Sequence, residues 1–233
     1  MSIELFNIDQ GYAVFSKSDY ETRIHSHYAI EVVCCMEGTF SVTTDKGSYT
    51  NLTNVIIPSN LRHSFSCLKA SCSLLFLDPL SDMGRYFARQ LIQAGTDDIA
   101  TNVPFPEAFH ENGKFNFSAL PRERIGNNVD DRIIVCIEMI DRMLTKENIT
   151  LSALSRAVFL SEGRLSHLFK KETGIAVQQY IRWRKILYAA QQSQLGYSLT
   201  ECAYHVGFAD SSHFNKAFYK MFGIKPFFVL KGG

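Results

Sequence analysis

The spacing of apolar residues changes along the chain, from short alternating runs in the first third to helical periodicity in the last third. Apolar runs at 32–36, 55–57 and 73–77 are separated by turn residues. Asp45-Lys46-Gly47 marks a hairpin turn between the segments 39–44 and 48–52. Many short strands joined in this way predict a small β-barrel or sandwich over residues 1–78.

The pattern becomes helical over residues 82–94, where Tyr86, Phe87, Leu91 and Ile92 share one face. Such a helix either pairs two subunits or packs on its own barrel, and the sequence favours neither. Residues 96–128 then combine proline, glycine, asparagine and aspartate without a lasting period. We predict an irregular linker there, which ends a first domain at residue 95.

From residue 129 onward the periodicity is helical throughout, and it contains the same design twice. A short helix, a tight turn and a second helix fill about 151–173 and again about 199–222, with one helix over 177–194 between them. Ser161 is a good N-cap for one second helix, and Asp210 or Ser211 for the other. The predicted fold class is therefore a two-domain α+β protein, with an N-terminal β-barrel (1–95) and a C-terminal all-α tandem helix-turn-helix domain (129–233).

Each second helix has one apolar face, and its other face is small, polar or basic. Such a helix suits insertion into the major groove of DNA. The 18-residue spacer helix would be about 27 Å long, against ~34 Å between successive major-groove faces, so one monomer can address both. The alternative is that these faces are only solvated, since helix-turn-helix pairs also occur in proteins that never contact DNA.

Charge changes the picture once it is divided by position. The chain of 233 residues has a formal net charge of only +1, which by itself argues against a polyanionic partner. Residues 1–147 carry a net −6, however, and residues 148–233 a net +7. A basic second half favours nucleic acid as its partner. No apolar run is long enough to span a membrane and no signal peptide begins the chain, so we expect a cytoplasmic protein.

The segments Leu151–Gly174 and Val206–Pro226 resemble the two halves of an AraC/XylS-type DNA-binding domain, over roughly residues 130–230. The resemblance implies a bacterial transcription regulator. The family's base-reading positions fall on Gly163, Ser166, His167, Ser211, Ser212, Asn215 and Lys216. We expect phosphate contacts from the surrounding basic residues, which are Arg164, Lys170, Lys171, Arg182, Arg184, Lys185 and Lys220.

A second resemblance lies near the N-terminus. His25, His27, Glu31 and Gly38 reproduce the pattern H-x-H-x3-E-x6-G, and Pro58 with His63 forms a second piece, as in a cupin barrel. Asp19 and Asn60 stand where cupins have glycine. In metal-binding cupins the matching residues are ligands, here His25, His27, Glu31 and His63. Three alternatives remain open: an effector pocket without metal, a divalent metal site (Fe, Mn, Ni or Zn), or structural histidines.

Together these features predict a transcription regulator that responds to a small-molecule effector and is not an enzyme. The expected partners are double-stranded promoter DNA, the effector, RNA polymerase and a second copy of the chain. No cofactor is certain, although the barrel could hold a divalent metal ion. Two rival hypotheses are a cupin metalloenzyme of the dioxygenase or isomerase type and a protein-interaction module that does not bind DNA.

Overall fold

A computed structural model of the chain describes residues 4–120, 129–145 and 149–223. The chain divides into two compact units, which we describe separately. The first unit contains Met1–Ile125 together with Tyr219–Gly233, and the second contains Gly126–Phe218. Among the described residues, none of the helices combines the length and apolar character that a membrane span needs.

The first unit is built from antiparallel strands and one α-helix. A six-stranded sheet has the order β1-β2-β8-β3-β6-β9, and a three-stranded sheet has the order β5-β4-β7. In the part that the structure describes, the strands of these two sheets are not hydrogen-bonded into one continuous sheet, so the predicted barrel is not closed. The strands are β1 (Glu4–Asn7), β2 (Tyr12–Ser18), β3 (Ile30–Glu37), β4 (Phe40–Thr44), β5 (Gly47–Leu52), β6 (Asn54–Ile57), β7 (His63–Ser66), β8 (Ser71–Leu77) and β9 (Ala100–Thr101).

The predicted hairpin and helix of this unit are both confirmed. Strands β4 and β5 pair across the turn at residues 45–46, with Thr44 opposite Gly47. The helix α1 (Asp82–Gln93) begins after the N-cap Ser81, and it buries Tyr86, Phe87 and Leu91 in the first unit's core. Ile92, which the sequence placed on the same packed face, is 77% exposed.

The linker predicted over 96–128 is wrong over residues 96–120, because these residues belong to the first unit. Strand β9 extends the large sheet next to β6. A second hairpin follows, β10 (His110–Glu111) with β11 (Lys114–Phe115), flanked by 3-10 turns at Glu107–Phe109 and Phe117–Ala119. Phe109 is fully buried, 5.7 Å from the Phe87 ring. The first unit therefore continues past residue 95 through the described residues up to 120. Residues 121–128 lie outside the described part.

The second unit is all helical and confirms both predicted helix-turn-helix motifs. Trp183 and Tyr180 on α5 are buried at its centre. The predicted domain end needs correction, because the described residues 219–223 belong to the first unit, where the Phe222 ring lies 5.2 Å from that of Phe15. The helices are α2 (Asp131–Met143), α3 (Leu151–Ala157), α4 (Glu162–Thr173), α5 (Val177–Gln194), α6 (Leu199–His205) and α7 (Ser211–Phe222).

Candidate nucleic-acid interface and candidate ligand pocket

The two helix-turn-helix turns repeat the same hydrogen bonds. After α3, Phe159 has φ +55°, and the Leu160 N–H donates to the Ser155 carbonyl at 3.0 Å. After α6, Gly207 has φ +76°, and the Phe208 N–H donates to the Ala203 carbonyl at 3.0 Å. In both motifs a residue in the left-handed conformation is followed by a residue whose N–H donates to the carbonyl five positions earlier, and this combination turns the chain sharply.

Each second helix then starts at a capped N-terminus. Ser161 Oγ accepts from the Arg164 N–H at 3.3 Å, and Asp210 Oδ1 accepts from the His213 N–H at 2.6 Å. Of the two expected caps for α7, the structure therefore selects Asp210. Gly174, with φ +80°, ends α4 in the left-handed conformation that glycine adopts at no steric cost.

The predicted base-reading residues of α4 lie on its unburied side. Gly163 and His167 are exposed and Ser166 is half-buried, whereas Leu165 and Phe169 are fully buried. Arg132 from α2 joins Arg164 and His167 in lining a shallow groove beside Gly163. An added Cβ at Gly163 would meet nothing within 4 Å. This side of α4 is therefore open and basic.

On α7, the predicted residues Ser212 and Lys216 are exposed, and Ser211 and Asn215 are half-buried. Asn215 Oδ1 is a buried acceptor without a hydrogen-bond partner among the described residues. A buried amide oxygen that lacks a partner costs free energy unless a bound molecule supplies a donor. Asparagine pairs with adenine through both amide atoms, so adenine contact by Asn215 would require a side-chain rotation that exposes Oδ1.

Arg184 is a correction to the predicted phosphate contacts. Its side chain is buried, and Nε donates to Asp141 Oδ1 on α2 at 2.7 Å. A guanidinium committed to an internal ion pair is not available to the DNA backbone. Lys185 is half-buried and burial lowers its pKa. The other predicted phosphate residues are exposed, namely Arg164, Lys170, Lys171, Arg182 and Lys220.

The first unit brings the four predicted pocket residues together. One ligand atom from each of His25, His27 and His63 lies within 4.8 Å of the others. Glu31 Oε2 is 3.1 Å from His27 Nε2 and 3.2 Å from His63 Nε2. His27, Glu31 and His63 are buried, and His25 is half-buried. The H-x-H-x3-E pattern and the distant His63 thus form one cluster.

All three rings are oriented in the same way by backbone carbonyls. The Nδ1 atoms of His25, His27 and His63 lie 2.9, 2.9 and 3.0 Å from the carbonyl oxygens of Arg23, Ala29 and Leu61. A carbonyl only accepts, so each Nδ1 carries the proton and donates. In the neutral rings each Nε2 then carries a lone pair, and the Nε2 atoms of His27 and His63 face Glu31 Oε2. Metal-binding histidines commonly have this tautomer.

Glu31 makes this pocket favour positive charge. Burial raises the pKa of its carboxyl, but the hydrogen bonds with His27 and His63 outweigh burial and lower it overall. Burial lowers the pKa of His63, but the hydrogen bond with Glu31 raises it overall. His25 has no such bond, and burial followed by the two neighbouring rings lowers its pKa to about 4. The cluster therefore suits either one shared proton or a cation.

At the two positions where the chain lacks the glycine of the cupin pattern, the backbone still has a positive φ angle. Asp19 and Asn60, which replace glycines, have φ of +49° and +63°. Aspartate and asparagine are among the few residues that tolerate this left-handed region. Gly38 has φ +80°, and an added Cβ would lie 3.0 Å from the Lys69 carbonyl oxygen. The substitutions therefore preserve the local chain path.

Comparisons with known proteins agree with the second unit. A family model described as "Helix-turn-helix domain" matches residues 154–231. The arabinose operon regulatory protein of Escherichia coli (strain K12) is 29% identical over 102 residues, which cover 42% of this chain and 34% of that protein. The probable transcriptional regulator LumQ of Photobacterium leiognathi is 31% identical over 82 residues, which cover 35% and 33%. The match thus spans about a third of each relative.

With these matches lying on the tandem helix-turn-helix geometry, the assignment follows. The chain contains a helix-turn-helix domain similar to those of AraC/XylS-type regulators. The likeness extends to the whole fold: crystal structures of ToxT from Vibrio cholerae align over 95% of this chain and 98% of theirs, with a TM-score of 0.58 at 13–16% identity. At that identity the likeness is one of fold.

Two residues depart from the AraC/XylS-type pattern that this domain resembles. Lys185 stands where the family usually has arginine, and its Nζ lies 3.3 Å from the position of an added Cβ at Gly207, beside the second turn. Gly163 leaves one of the predicted base-reading positions without a side chain. The sequence did not reveal Asp141 as the partner of Arg184, because 43 residues separate them.

Proposed function

We propose that the protein is a DNA-binding transcription regulator whose activity responds to a small molecule bound in the histidine cluster of the first unit. Helices α4 and α7 enter successive major grooves of promoter DNA, and the exposed basic residues around them contact phosphates. The observation that carries this proposal is the pair of helix-turn-helix motifs with matching turns and capped second helices, separated by the 18-residue helix α5.

Cellular context and assembly belong to the same proposal. A regulator of this kind works in the cytoplasm, contacts RNA polymerase at the promoter and is not an enzyme. A homodimer belongs to the proposal as well, and α1, which carries the exposed Ile92, is the element to test for subunit contact. Analytical ultracentrifugation of the full chain and of Ile92→Glu tests the dimer: loss of a dimer in the variant alone supports it.

DNA binding is tested by selecting bound duplexes from a random pool and then measuring affinity by fluorescence anisotropy at two salt concentrations. We expect a defined site and a Kd that rises with salt because phosphate contacts release counterions. Asn215→Ala should lose about 1–3 kcal/mol at one base pair of that site, whereas Glu138→Ala, on the exposed surface of α2, should not. Failure to enrich any sequence with the folded protein would refute the proposal.

A divalent cation is a second candidate ligand, favoured by the orientation of the histidines. Three Nε2 atoms with fixed tautomers and one carboxylate fit the nitrogen and oxygen donors that Zn²⁺, Fe²⁺, Mn²⁺ or Ni²⁺ accept. Without a proton or a cation, the Nε2 lone pairs of His27 and His63 would face the Glu31 oxygen and repel it. A bound cation would remove that repulsion.

Titration calorimetry of the chelator-treated protein with each metal chloride tests this candidate. Stoichiometric binding by the wild type and its loss in His27→Ala and His63→Ala would support a metal site. His205→Ala, which changes an exposed histidine on α6, is the matched control and should bind as the wild type does. Equal binding by all three variants would show that surface histidines hold the metal and would exclude the pocket.

A further inference from the structure

Two cysteines on neighbouring strands form a close pair that the sequence separates by 37 positions. Cys35 on β3 lies directly opposite Cys72 on β8, and the Cys72 thiol donates to Cys35 Sγ at 3.8 Å. The Cys35 N–H points the other way and donates to the Thr53 carbonyl at 2.7 Å. Since the N–H and C=O of one residue leave a strand on the same side, Cys35 and Cys72 are a non-hydrogen-bonded pair, the closer of the two cross-strand types.

This geometry matches what a disulfide requires. A non-hydrogen-bonded pair brings the Cα atoms to ~4.5 Å, at the short end of the range that a disulfide spans, and places both side chains on one face of the sheet. The Cys35 side chain is half-buried, so a small oxidant can reach it, while Cys72 is fully buried behind it. Only a modest side-chain rotation is needed to bring the two sulfur atoms from 3.8 Å to bonding distance.

We propose that Cys35 and Cys72 are a reversible modification site, which a hydroperoxide converts to a disulfide. The Cys35 sulfur takes the terminal oxygen of the hydroperoxide, the O–O bond breaks, and the thiol proton leaves with the other oxygen as alcohol or water. The Cys72 sulfur then attacks the resulting sulfenic acid, and its proton departs with the hydroxyl group as water. Both thiols are oxidised by two electrons in total, and the hydroperoxide is reduced by two.

The remaining cysteines of this unit provide internal controls. Cys34 neighbours Cys35 in the chain but points to the opposite sheet face, where it packs in the core around α1. Cys67 lies beside Cys72, and this interaction lowers the pKa of Cys67 to about 7. The same interaction, together with burial, raises the pKa of Cys72. Cys67 is fully buried, so the first reaction with an oxidant falls to Cys35.

Tryptic mapping distinguishes these cysteines because the cleavage sites fall between them. Cys34 and Cys35 lie in the peptide 24–46, Cys67 in 63–69 and Cys72 in 70–85. The reduced full-length protein is treated with hydrogen peroxide, its free thiols are alkylated, and the digest is analysed without reductant. We expect peptide 24–46 linked to 70–85, a mass loss of two hydrogens in the intact chain, and full reversal by dithiothreitol.

Single-cysteine variants identify which thiols form the disulfide. Cys35→Ser should abolish the linked peptide pair, whereas Cys34→Ala should retain it, and circular dichroism checks that both are folded. Oxidation of wild type in urea should give mixed pairings, because only the folded sheet holds these two residues together. A link between 63–69 and 70–85, or free Cys72 beside overoxidised Cys35 in folded protein, would overturn the proposal. None of these readouts depends on DNA or effector binding.

Discussion

Two glycines in the first turns of two helices offer a matched test of the packing described above. Gly84 lies in α1 and Gly163 in α4, each within three residues of a serine N-cap. A Cβ added at Gly84 would lie 1.9 Å from the Asp78 carbonyl oxygen, whereas one added at Gly163 would meet nothing within 4 Å. The same substitution, glycine to alanine, should therefore have opposite effects on stability.

The magnitudes follow from these distances. The Asp78 carbonyl cannot simply move away from Gly84→Ala, because it accepts hydrogen bonds from the Ser81 N–H at 2.9 Å and the Ser81 hydroxyl at 2.7 Å. Forcing a methyl group against fixed backbone costs about 1–3 kcal/mol or more, which exceeds the helix-propensity gain. Gly163→Ala meets no obstacle and should stabilise the second unit by about 0.5–1 kcal/mol through helix propensity.

Urea unfolding of the full chain measures both effects separately. The single tryptophan, Trp183, is buried in the second unit, so its fluorescence reports Gly163→Ala. Hydrogen exchange of the amides in β2, β3 and β8 reports the first unit and therefore Gly84→Ala. If Gly84→Ala left that protection unchanged or increased it, the close approach of α1 to the segment at Asp78 would be refuted.

Three further predictions follow. Folding lowers the pKa of His25 to about 4, so its contribution to the free energy of unfolding is present above pH ~6.5 and is lost as the pH falls. Between pH 7.5 and pH 5, the free energy of unfolding of the wild type should fall by about 2 kcal/mol relative to that of His25→Asn. A difference between the two proteins that does not change with pH would contradict this. Arg184→Ala should destabilise the second unit by about 2–3 kcal/mol, which is less than the loss of a fully buried ion pair costs, because the Asp141 side chain is one-third exposed. Arg182→Ala should weaken DNA binding without changing stability. Scanning calorimetry and fluorescence anisotropy on both variants test this. A disulfide between Cys35 and Cys72 closes a loop of about 37 residues and should stabilise the first unit by about 4 kcal/mol, measured as a shift of the urea midpoint that Cys35→Ser removes.

Local signals in the sequence were sufficient for the helical unit. Ser161 and Gly174 mark the ends of α4 because capping and left-handed termination act within one turn of the chain. The sequence also predicted that the four histidine-cluster residues lie together, since the spacing of His25, His27 and Glu31 places them on one strand and its approach. The orientation of the three histidine rings could not be predicted. Each Nδ1 donates to a backbone carbonyl, and the position of that carbonyl depends on loop conformations that the residue spacing does not specify.

The predictions that failed concern contacts between distant residues. The segment 96–120 has the composition of a linker, but Phe109 finds Phe87 on α1 and the segment folds onto the sheet. The sequence pattern did not distinguish Arg184 from the other basic residues of α5. Its burial depends on the ion pair with Asp141 on α2, which is distant in the sequence. The pairing of Cys35 with Cys72 requires the register of β3 and β8, which alternating residues alone do not fix.

The carbonyl contacts of the three histidine rings also determine how the pocket responds when a ligand leaves. Holding a side chain in one rotamer costs about 0.5–1.5 kcal/mol when a ligand must impose it. Here the backbone carbonyls of Arg23, Ala29 and Leu61 already orient the three rings, so a ligand bound by them would have little side-chain ordering to impose. If the proposed effector binds at this cluster, its signal would arise from the change in charge beside Glu31 and not from local ordering, so a neutral ligand of the same size would bind there silently.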